Sequence, residues 1–332
     1  MWFHRMLLKV LVLGMSLACS VVCSAGEHPC LTCHADKVVD KAGRTVHMAE
    51  ASDDCKSCHQ LKESLRHPHD KEAVTRPSSN SGALCLRCHE EEKARYIHAP
   101  VAAGECTSCH VPHRAPSSFL LKKKGAALCH MCHEEGKLRQ KYQHGPVAGG
   151  NCLFCHDPHS SENRKLLKKF GSFLCFECHD RELAKGNFVH EPVGYGDCVG
   201  CHSIHGSSYR KILNADFSDE FYLSYQASNY ALCFLCHSRE LVENPTTDVT
   251  DFRNGTTNLH YLHVNKADHG RSCKACHDAH AATQHKLIKE SVPGFGSWSI
   301  PMFFSPTPVG GTCVVGCHKP KAYDRTSPVS YW

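Results

Sequence analysis

Cysteine and histidine recur together in this chain, in the spacing Cys-x-x-Cys-His. Ten regular copies supply the cysteines Cys30, Cys33, Cys55, Cys58, Cys85, Cys88, Cys106, Cys109, Cys129, Cys132, Cys152, Cys155, Cys175, Cys178, Cys198, Cys201, Cys233, Cys236, Cys273 and Cys276. A stretched eleventh copy has three residues between Cys313 and Cys317. The histidines that follow the second cysteines are His34, His59, His89, His110, His133, His156, His179, His202, His237, His277 and His318. Two thiols on one helical turn can add to the vinyl groups of a haem, and the adjacent histidine can bind its iron.

Other uses of paired cysteines fit this pattern less well. Disulfide bonds would not require a histidine after every second cysteine. Structural zinc sites draw two distant pairs together and do not need that histidine, and a thioredoxin-like motif occurs once in a chain. Of the 24 cysteines, only Cys19 and Cys23 lie outside the motifs. The sequence therefore predicts about eleven covalently attached haem c groups.

The motifs belong to a longer repeat. The segments ALCLRCHEEE, ALCHMCHEEG and FLCFECHDRE begin at residues 83, 127 and 173. Each is followed by His-x-Pro-Val eight residues before the next motif, and that motif carries one more histidine, as CHxxH. A unit of about 45 residues thus holds a first motif and a second motif, and the chain is a tandem array.

Spare histidines recur at fixed places in this unit. Nine of them are His47, His98, His144, His190 and His263 at the His-x-Pro-Val position, and His113, His159, His205 and His280 in CHxxH. A tenth candidate is His67 or His69, and the eleventh is left open between His28, His130, His260, His269 and His285. Three methionines beyond residue 25 are too few for eleven irons. We therefore predict a histidine as the second, distal ligand of each iron, without assigning which histidine serves which iron.

The doubled units resemble the doubled-CXXCH multihaem c-type cytochromes, a group that includes decahaem carriers threaded through outer-membrane porins. The resemblance covers most of residues 27–290. It implies electron transfer, with haem ligation by the motif histidines and by the CHxxH histidines, and an outer-membrane porin as a candidate partner. The stretched motif and the spacer segments depart from the family pattern.

Roughly 28 residues per haem are too few for a conventional core, so the haems themselves must form it. We expect a mostly irregular fold with short α-helices, one at each motif, in an elongated protein built around a continuous haem chain. The predicted divisions are a signal peptide at 1–25, a two-haem unit at 26–74, three tandem two-haem units at 83–213, a two-haem unit with long spacers at 214–292 and a single-haem segment at 293–332. The aromatic segments 214–231 and 286–312 match no repeat and are expected to cover haem faces or to dock a partner.

The first 25 residues predict export. Arg5 and Lys9 precede an apolar stretch at 7–18 that is too short to span a bilayer, and small residues follow at 24–26. No leucine lies three places before Cys19 or Cys23, which disfavours a lipoprotein anchor. We expect a periplasmic or outer-surface protein that is soluble after signal cleavage.

Charge argues against nucleic-acid binding. The formal net charge is +5, and loss of the two signal-peptide cations lowers it to about +3. Haem propionates and ferric irons then bring the oxidised holoprotein to about −8.

Function is predicted to be electron transfer in anaerobic respiration or extracellular electron transfer. The expected partners are other cytochromes or a membrane quinol-oxidising complex. A multihaem oxidoreductase for nitrite, tetrathionate or hydroxylamine is one alternative, and a filament-forming cytochrome is another. Every motif keeps its histidine and spare histidines suffice, so no open-site haem and no catalytic residue is predicted.

Haem quantification tests the stretched motif. The intact chain should hold about eleven haems by pyridine haemochrome assay and by intact mass. The double substitution of Cys313 and Cys317 by alanine should remove one haem, because it removes both thioether bonds there. An unchanged haem count in that variant would show that the stretched motif binds none.

Overall fold

The computed structural model describes residues 45–48, 55–62, 64–65, 70, 74, 82–294 and 296–331. The first motif, with Cys30, Cys33 and His34, lies outside these residues, as do His67, His69 and the predicted signal peptide. The described backbone is mostly irregular, with short helices and small sheets. The fold class is therefore confirmed at this level, whereas the elongated shape and the division boundaries stay predictions.

Helices in the described part of the chain are at most six residues long. The α-helices are α1 (Gly82–Cys85), α2 (Ala99–Ala102), α3 (Ala126–Cys129), α4 (Gly145–Ala148), α5 (Ser172–Cys175), α6 (Glu191–Gly194), α7 (Glu240–Glu243), α8 (Leu259–Val264) and α9 (Cys273–Cys276). The 3-10 helices are Cys55–Ser57, Cys106–Ser108, Ser118–Leu120, Glu135–Lys137, Cys152–Phe154, Arg164–Leu166, Arg181–Ala184, Cys198–Gly200, Arg210–Ile212, Ala227–Tyr230, Cys233–Leu235 and His285–Leu287. In the nine regular motifs that the structure describes, the first cysteine lies in a short helix, which is an α-helix in four motifs and a 3-10 helix in five. Proline in the first turn of α2, α4 and α6 is compatible with a helix start, since no intrahelical N–H is lost there.

Strands are equally short, apart from those near the C-terminus. They are β1 (Thr45–Val46), β2 (Tyr96–Ile97), β3 (Arg114–Ala115), β4 (Tyr142–Gln143), β5 (Ser160–Ser161), β6 (Phe188–Val189), β7 (Gly206–Ser207), β8 (Arg253–Asn254), β9 (Thr257–Asn258), β10 (Ala281–Ala282), β11 (Ser291–Pro293), β12 (Ser299–Thr307), β13 (Gly310–Val315) and β14 (Lys321–Asp324). The last four form one antiparallel sheet in the order β11-β12-β13-β14.

Four two-stranded sheets share one design. β1 pairs with β3, β2 with β5, β4 with β7 and β6 with β10, all antiparallel. In each sheet, one strand ends just before a histidine at the His-x-Pro-Val position, and the other begins just after a CHxxH histidine. The N–H of His98, for example, donates to the carbonyl of His159 at 2.8 Å, and that of His190 donates to His280 at 2.9 Å. Each sheet therefore holds two candidate distal histidines.

The C-terminal sheet was not expected from the sequence. Cys313 lies on β13, opposite Phe304 on β12 and Lys321 on β14, so the stretched motif begins on a strand rather than on a helix. The β-branched residues of the segment GGTCVV favour this extended backbone.

Apolar burial is sparse. Nine apolar residues are buried among those that the structure describes, and the one buried cluster joins Tyr230, Val242 and Val264. Tyr225 and Phe234 pack against this cluster. Tyr225 and Tyr230 thus contribute to a small protein core. The expectation that segment 214–231 covers haem faces or docks a partner stays a prediction.

Internal contacts divide the chain into two units. One comprises residues 1–78 and 110–121, and the other comprises residues 79–109 and 122–332. β1 and β3 belong to the first unit, and every other sheet belongs to the second. No helix in the described residues is long and apolar enough to cross a membrane.

Asn258 is the buried polar residue on which the segment around α7 and α8 depends. It is fully buried, its Nδ2 donates to the carbonyls of Leu241 and Asn244, and its Oδ1 accepts the N–H of Tyr261. Asn258→Ala should lower the free energy of unfolding by about 2–4 kcal/mol, because buried groups lose their partners. The measurement is chemical denaturation of the haem-loaded protein.

Asn187→Ala is the matched control for this substitution. Asn187 is exposed and makes one hydrogen bond, to the carbonyl of Thr283, so its loss should change the free energy of unfolding by no more than about 0.5 kcal/mol. Equal effects of the two substitutions would contradict the role given to Asn258.

Candidate haem-binding sites

Seven motif histidines each face one other histidine across a nearly constant gap. The pairs and the distances between their ring centroids are His59–His113 (5.9 Å), His133–His98 (6.1 Å), His156–His205 (6.1 Å), His179–His144 (6.0 Å), His202–His280 (6.3 Å), His237–His190 (6.2 Å) and His277–His260 (6.4 Å). The first six pairs have interplanar angles of 12° to 24°, and the last has 33°. Each pair thus brings one proximal candidate together with one distal candidate.

This gap has the size that one iron requires. An imidazole nitrogen binds a first-row metal at about 2 Å, so two rings on opposite faces of one iron place their centroids about 6 Å apart. Rings in direct contact would lie closer than this. The donor set of two imidazoles with two thiols beside them is also the one that haem c uses. The residues therefore fit a six-coordinate haem.

Ligand pairing follows a rule that links neighbouring repeat units. His98, His144 and His190, at the His-x-Pro-Val position, each face the first motif of the following unit. The CHxxH histidines His113, His205 and His280 each face the second motif of the preceding unit. The sequence indicated the candidates, but it could not assign them to irons.

The last repeat departs from this rule at helix α8. His260, which the sequence left among several alternatives, faces His277, the histidine of a second motif. Burial lowers the pKa of His263, and the charge of His318 lowers it further. The second effect indicates that His263 lies near His318, the histidine of the stretched motif. The sequence signal for this arrangement is the segment LHYLHV, in which two histidines lie three positions apart on one helical face. The distal roles of His47 and His159 stay predictions, as do those of His67 and His69.

Second motifs share a return loop that holds the proximal ring. His110, His156, His202 and His277 donate from Nδ1 to the carbonyls of Phe119, Lys165, Lys211 and Lys286, at 2.7 to 3.0 Å. Each carbonyl comes nine residues after its histidine. With Nδ1 engaged as a donor, Nε2 is left as the nitrogen that can bind iron.

These return loops have an uncommon backbone. The residue that supplies the carbonyl and the residue after it have φ between 51° and 59°, although none of the eight is glycine. A left-handed conformation costs a non-glycine residue about 1–2 kcal/mol. The loops coincide with the segments LLKK at 120–123 and 166–169, KIL at 211–213 and KLIK at 286–289, whose residue types do not reveal this conformation.

Burial keeps several of the paired imidazoles neutral. Desolvation lowers the pKa of His260 to about 4, and it also lowers the pKa of His202, His205 and His277. A neutral imidazole has a free nitrogen lone pair, and this is the form that binds a metal.

Thiols of successive motifs lie close together. Cys129 hydrogen bonds with Cys152, Cys175 with Cys198 and Cys233 with Cys273, in each case linking the first cysteines of neighbouring motifs. The second cysteines are coupled electrostatically in the pairs Cys109–Cys132, Cys155–Cys178 and Cys201–Cys236. Cys276 is coupled in turn to the stretched motif, and burial, followed by the charge of Cys313, raises the pKa of Cys276 to about 11.

Two family models match the chain. The model described as "Doubled CXXCH motif" matches residues 98–138, 144–184 and 190–241. The model described as "Cytochrome c7 and related cytochrome c" matches residues 44–111. A comparison with curated proteins gives no significant match.

Replacement of Lys165 tests the return loop. Proline cannot adopt the φ of 59° found at Lys165, so Lys165→Pro should displace the carbonyl that holds His156. We expect one haem to lose its low-spin signal in electron paramagnetic resonance (EPR) of the oxidised protein. Lys165→Gly is the matched control, because it removes the same charge but tolerates that φ, and it should keep the signal. Identical spectra of the two variants would contradict the role of the loop.

Proposed function

We propose that this chain, which is a multihaem c-type cytochrome, transfers electrons through about eleven bis-histidine haems. The observation that carries the proposal is the set of seven histidine pairs with ring centroids 5.9 to 6.4 Å apart. Each pair joins a motif histidine to a histidine from another part of the array. The two histidines of a pair would hold one iron and leave no open position for a substrate, which favours electron exchange over substrate chemistry.

The protein residues hold and tune the cofactor. Haem c, when bound, supplies one-electron exchange between ferrous and ferric iron. The cysteines fix each group to the chain, and the return loops orient the proximal rings through Nδ1. The two-stranded sheets fix the distal histidines by their backbone. These devices leave the ligands little freedom to move, which favours fast electron exchange because the site is preorganised.

Thiol proximity supports a continuous path. Hydrogen bonds between first cysteines alternate with electrostatic interactions between second cysteines from Cys109 to Cys273, and an electrostatic interaction of Cys276 extends the series to Cys313. Because a thioether bond lies at the haem edge, neighbouring cysteines imply neighbouring haem edges. We infer that consecutive motifs in the sequence hold consecutive haems over this stretch.

The compartment and the partners belong to the same proposal. The features of residues 1–25 support export to the periplasm or the outer surface. There the expected partners are other cytochromes or a membrane quinol-oxidising complex, with an outer-membrane porin as a further candidate, in anaerobic respiration or extracellular electron transfer.

Low-temperature EPR and magnetic circular dichroism of the oxidised protein test the carrier role. All haems should be low-spin, with rhombic signals because the paired rings are nearly parallel. Nitrite and hydroxylamine should leave the spectra unchanged. A high-spin signal that responds to either compound would instead identify an oxidoreductase.

A substitution in α8 tests the pairing directly. His260→Ala should convert one haem to high spin, because it removes the ring that faces His277. His285→Ala is the control, since His285 is another of the spare histidines and its ring contacts Phe188 rather than a motif histidine. A high-spin haem in the control alone would assign the distal ligand to His285 and overturn the pairing.

A further inference from the structure

The loop between α7 and α8 contains no cysteine motif and no candidate ligand. One of its side chains, however, contacts a candidate ligand on α8. Within the loop, Thr250 is buried, with 7% of its surface exposed. Its Oγ1 lies 3.2 Å from Nδ1 of His260, the histidine that faces His277. The same oxygen accepts the N–H of Phe252 at 3.2 Å.

The direction of the hydrogen bond between Thr250 and His260 follows from ligation. A neutral imidazole has one protonated nitrogen and one free lone pair. For Nε2 to bind iron, Nδ1 must carry the proton and donate a hydrogen bond to the hydroxyl of Thr250. The hydroxyl oxygen has two lone pairs, so it can accept from His260 and from Phe252 together.

The loop is held in place, so this contact is fixed. Asn258 anchors its end by donating to the carbonyls of Leu241 and Asn244. The ring of Phe252 packs edge-on against His260 at 5.0 Å and lies 5.7 Å from His263. One short segment therefore supports both distal candidates of α8.

A side-chain hydroxyl differs from the acceptors found at three other distal candidates. Nδ1 of His98, His190 and His263 lies within hydrogen-bond distance of the backbone carbonyls of Pro158, Ala279 and Leu259. No substitution removes a backbone carbonyl. At His260 the acceptor is a hydroxyl, which a single substitution deletes.

We propose that Thr250 is a positioning residue that fixes the tautomer of His260 and lowers the reduction potential of the iron between His260 and His277. A hydrogen bond from the outer nitrogen of a coordinated imidazole raises the basicity of the ligand, and a more basic ligand stabilises ferric iron. The inference rests on the proposed function, since it requires a haem at this pair.

The test is spectroelectrochemical titration of the holoprotein with Thr250→Val. This substitution keeps the shape of the side chain and removes the hydroxyl. The midpoint of a single haem should move to a more positive potential, with the haem count unchanged. Thr250→Ser restores the hydroxyl and should return the midpoint to its original value.

Thr247→Val is the matched control. Thr247 accepts the N–H of Val249 at 3.1 Å, as Thr250 accepts that of Phe252, so this variant loses the same kind of turn hydrogen bond with no histidine at the hydroxyl. It should leave all midpoints in place. An unshifted titration of Thr250→Val, or an equal shift in Thr247→Val, would overturn the inference. A high-spin haem in Thr250→Val but not in Thr247→Val would also support the positioning role, because it would show that His260 no longer binds the iron without the hydroxyl of Thr250.

His260→Ala separates the two levels of the argument. One high-spin haem in that variant, together with an unshifted titration of Thr250→Val, refutes only the role of Thr250. If all haems stay low-spin in His260→Ala, the proposed pairing fails at this iron and the inference fails with it.

Discussion

Seven pairs of imidazole rings lie about 6 Å apart in this structure, the separation that two histidine ligands of one iron would require, and much of the fold serves that spacing. The two rings never come from neighbouring residues in the repeats: His98 and His133 are 35 positions apart, and His202 and His280 are 78 apart. Local structure alone cannot bring such residues together. The two-stranded sheets and the return loops provide the missing geometry with very few residues.

The free energies of these short elements show how so few residues can hold this geometry. The described residues bury few apolar side chains, so the protein alone has little hydrophobic stabilisation. Each return loop also contains two left-handed residues, at a cost of about 1–2 kcal/mol each. In return it gains the bond from the proximal Nδ1 and a backbone bond such as that from Asp157 to Leu166, which contribute about 1 kcal/mol each. The cost and the gain are of similar size, so a return loop adds little net stability by itself, and ligation of an iron would add to it.

Sequence patterns predicted the irregular fold, the helical turn at each regular motif and the histidines that make up the pairs. These follow from local spacing, which one chain displays directly. The assignment of His98 to His133, by contrast, depends on how one unit packs on the next, and no periodicity within a unit reveals it. His260 remained ambiguous because the repeat pattern pointed to His263, which lies three positions further along the same helix. The left-handed pairs were also invisible, since residues such as Ile212 rarely adopt that conformation.

The pairing rule also fixes whether the partner of a motif histidine precedes or follows it in the chain. The histidine of a first motif, such as His133, pairs with a histidine that precedes it in the chain. His156 and His202, in second motifs, pair with histidines that follow them and are synthesised later. During synthesis, the second motif of the latest repeat therefore lacks its partner histidine. A truncation between two repeats separates the two members of a pair. His277 breaks the rule, because its partner His260 precedes it. Helix α8 thus supplies the partner of this second motif from the preceding segment, so the pair does not depend on a following repeat.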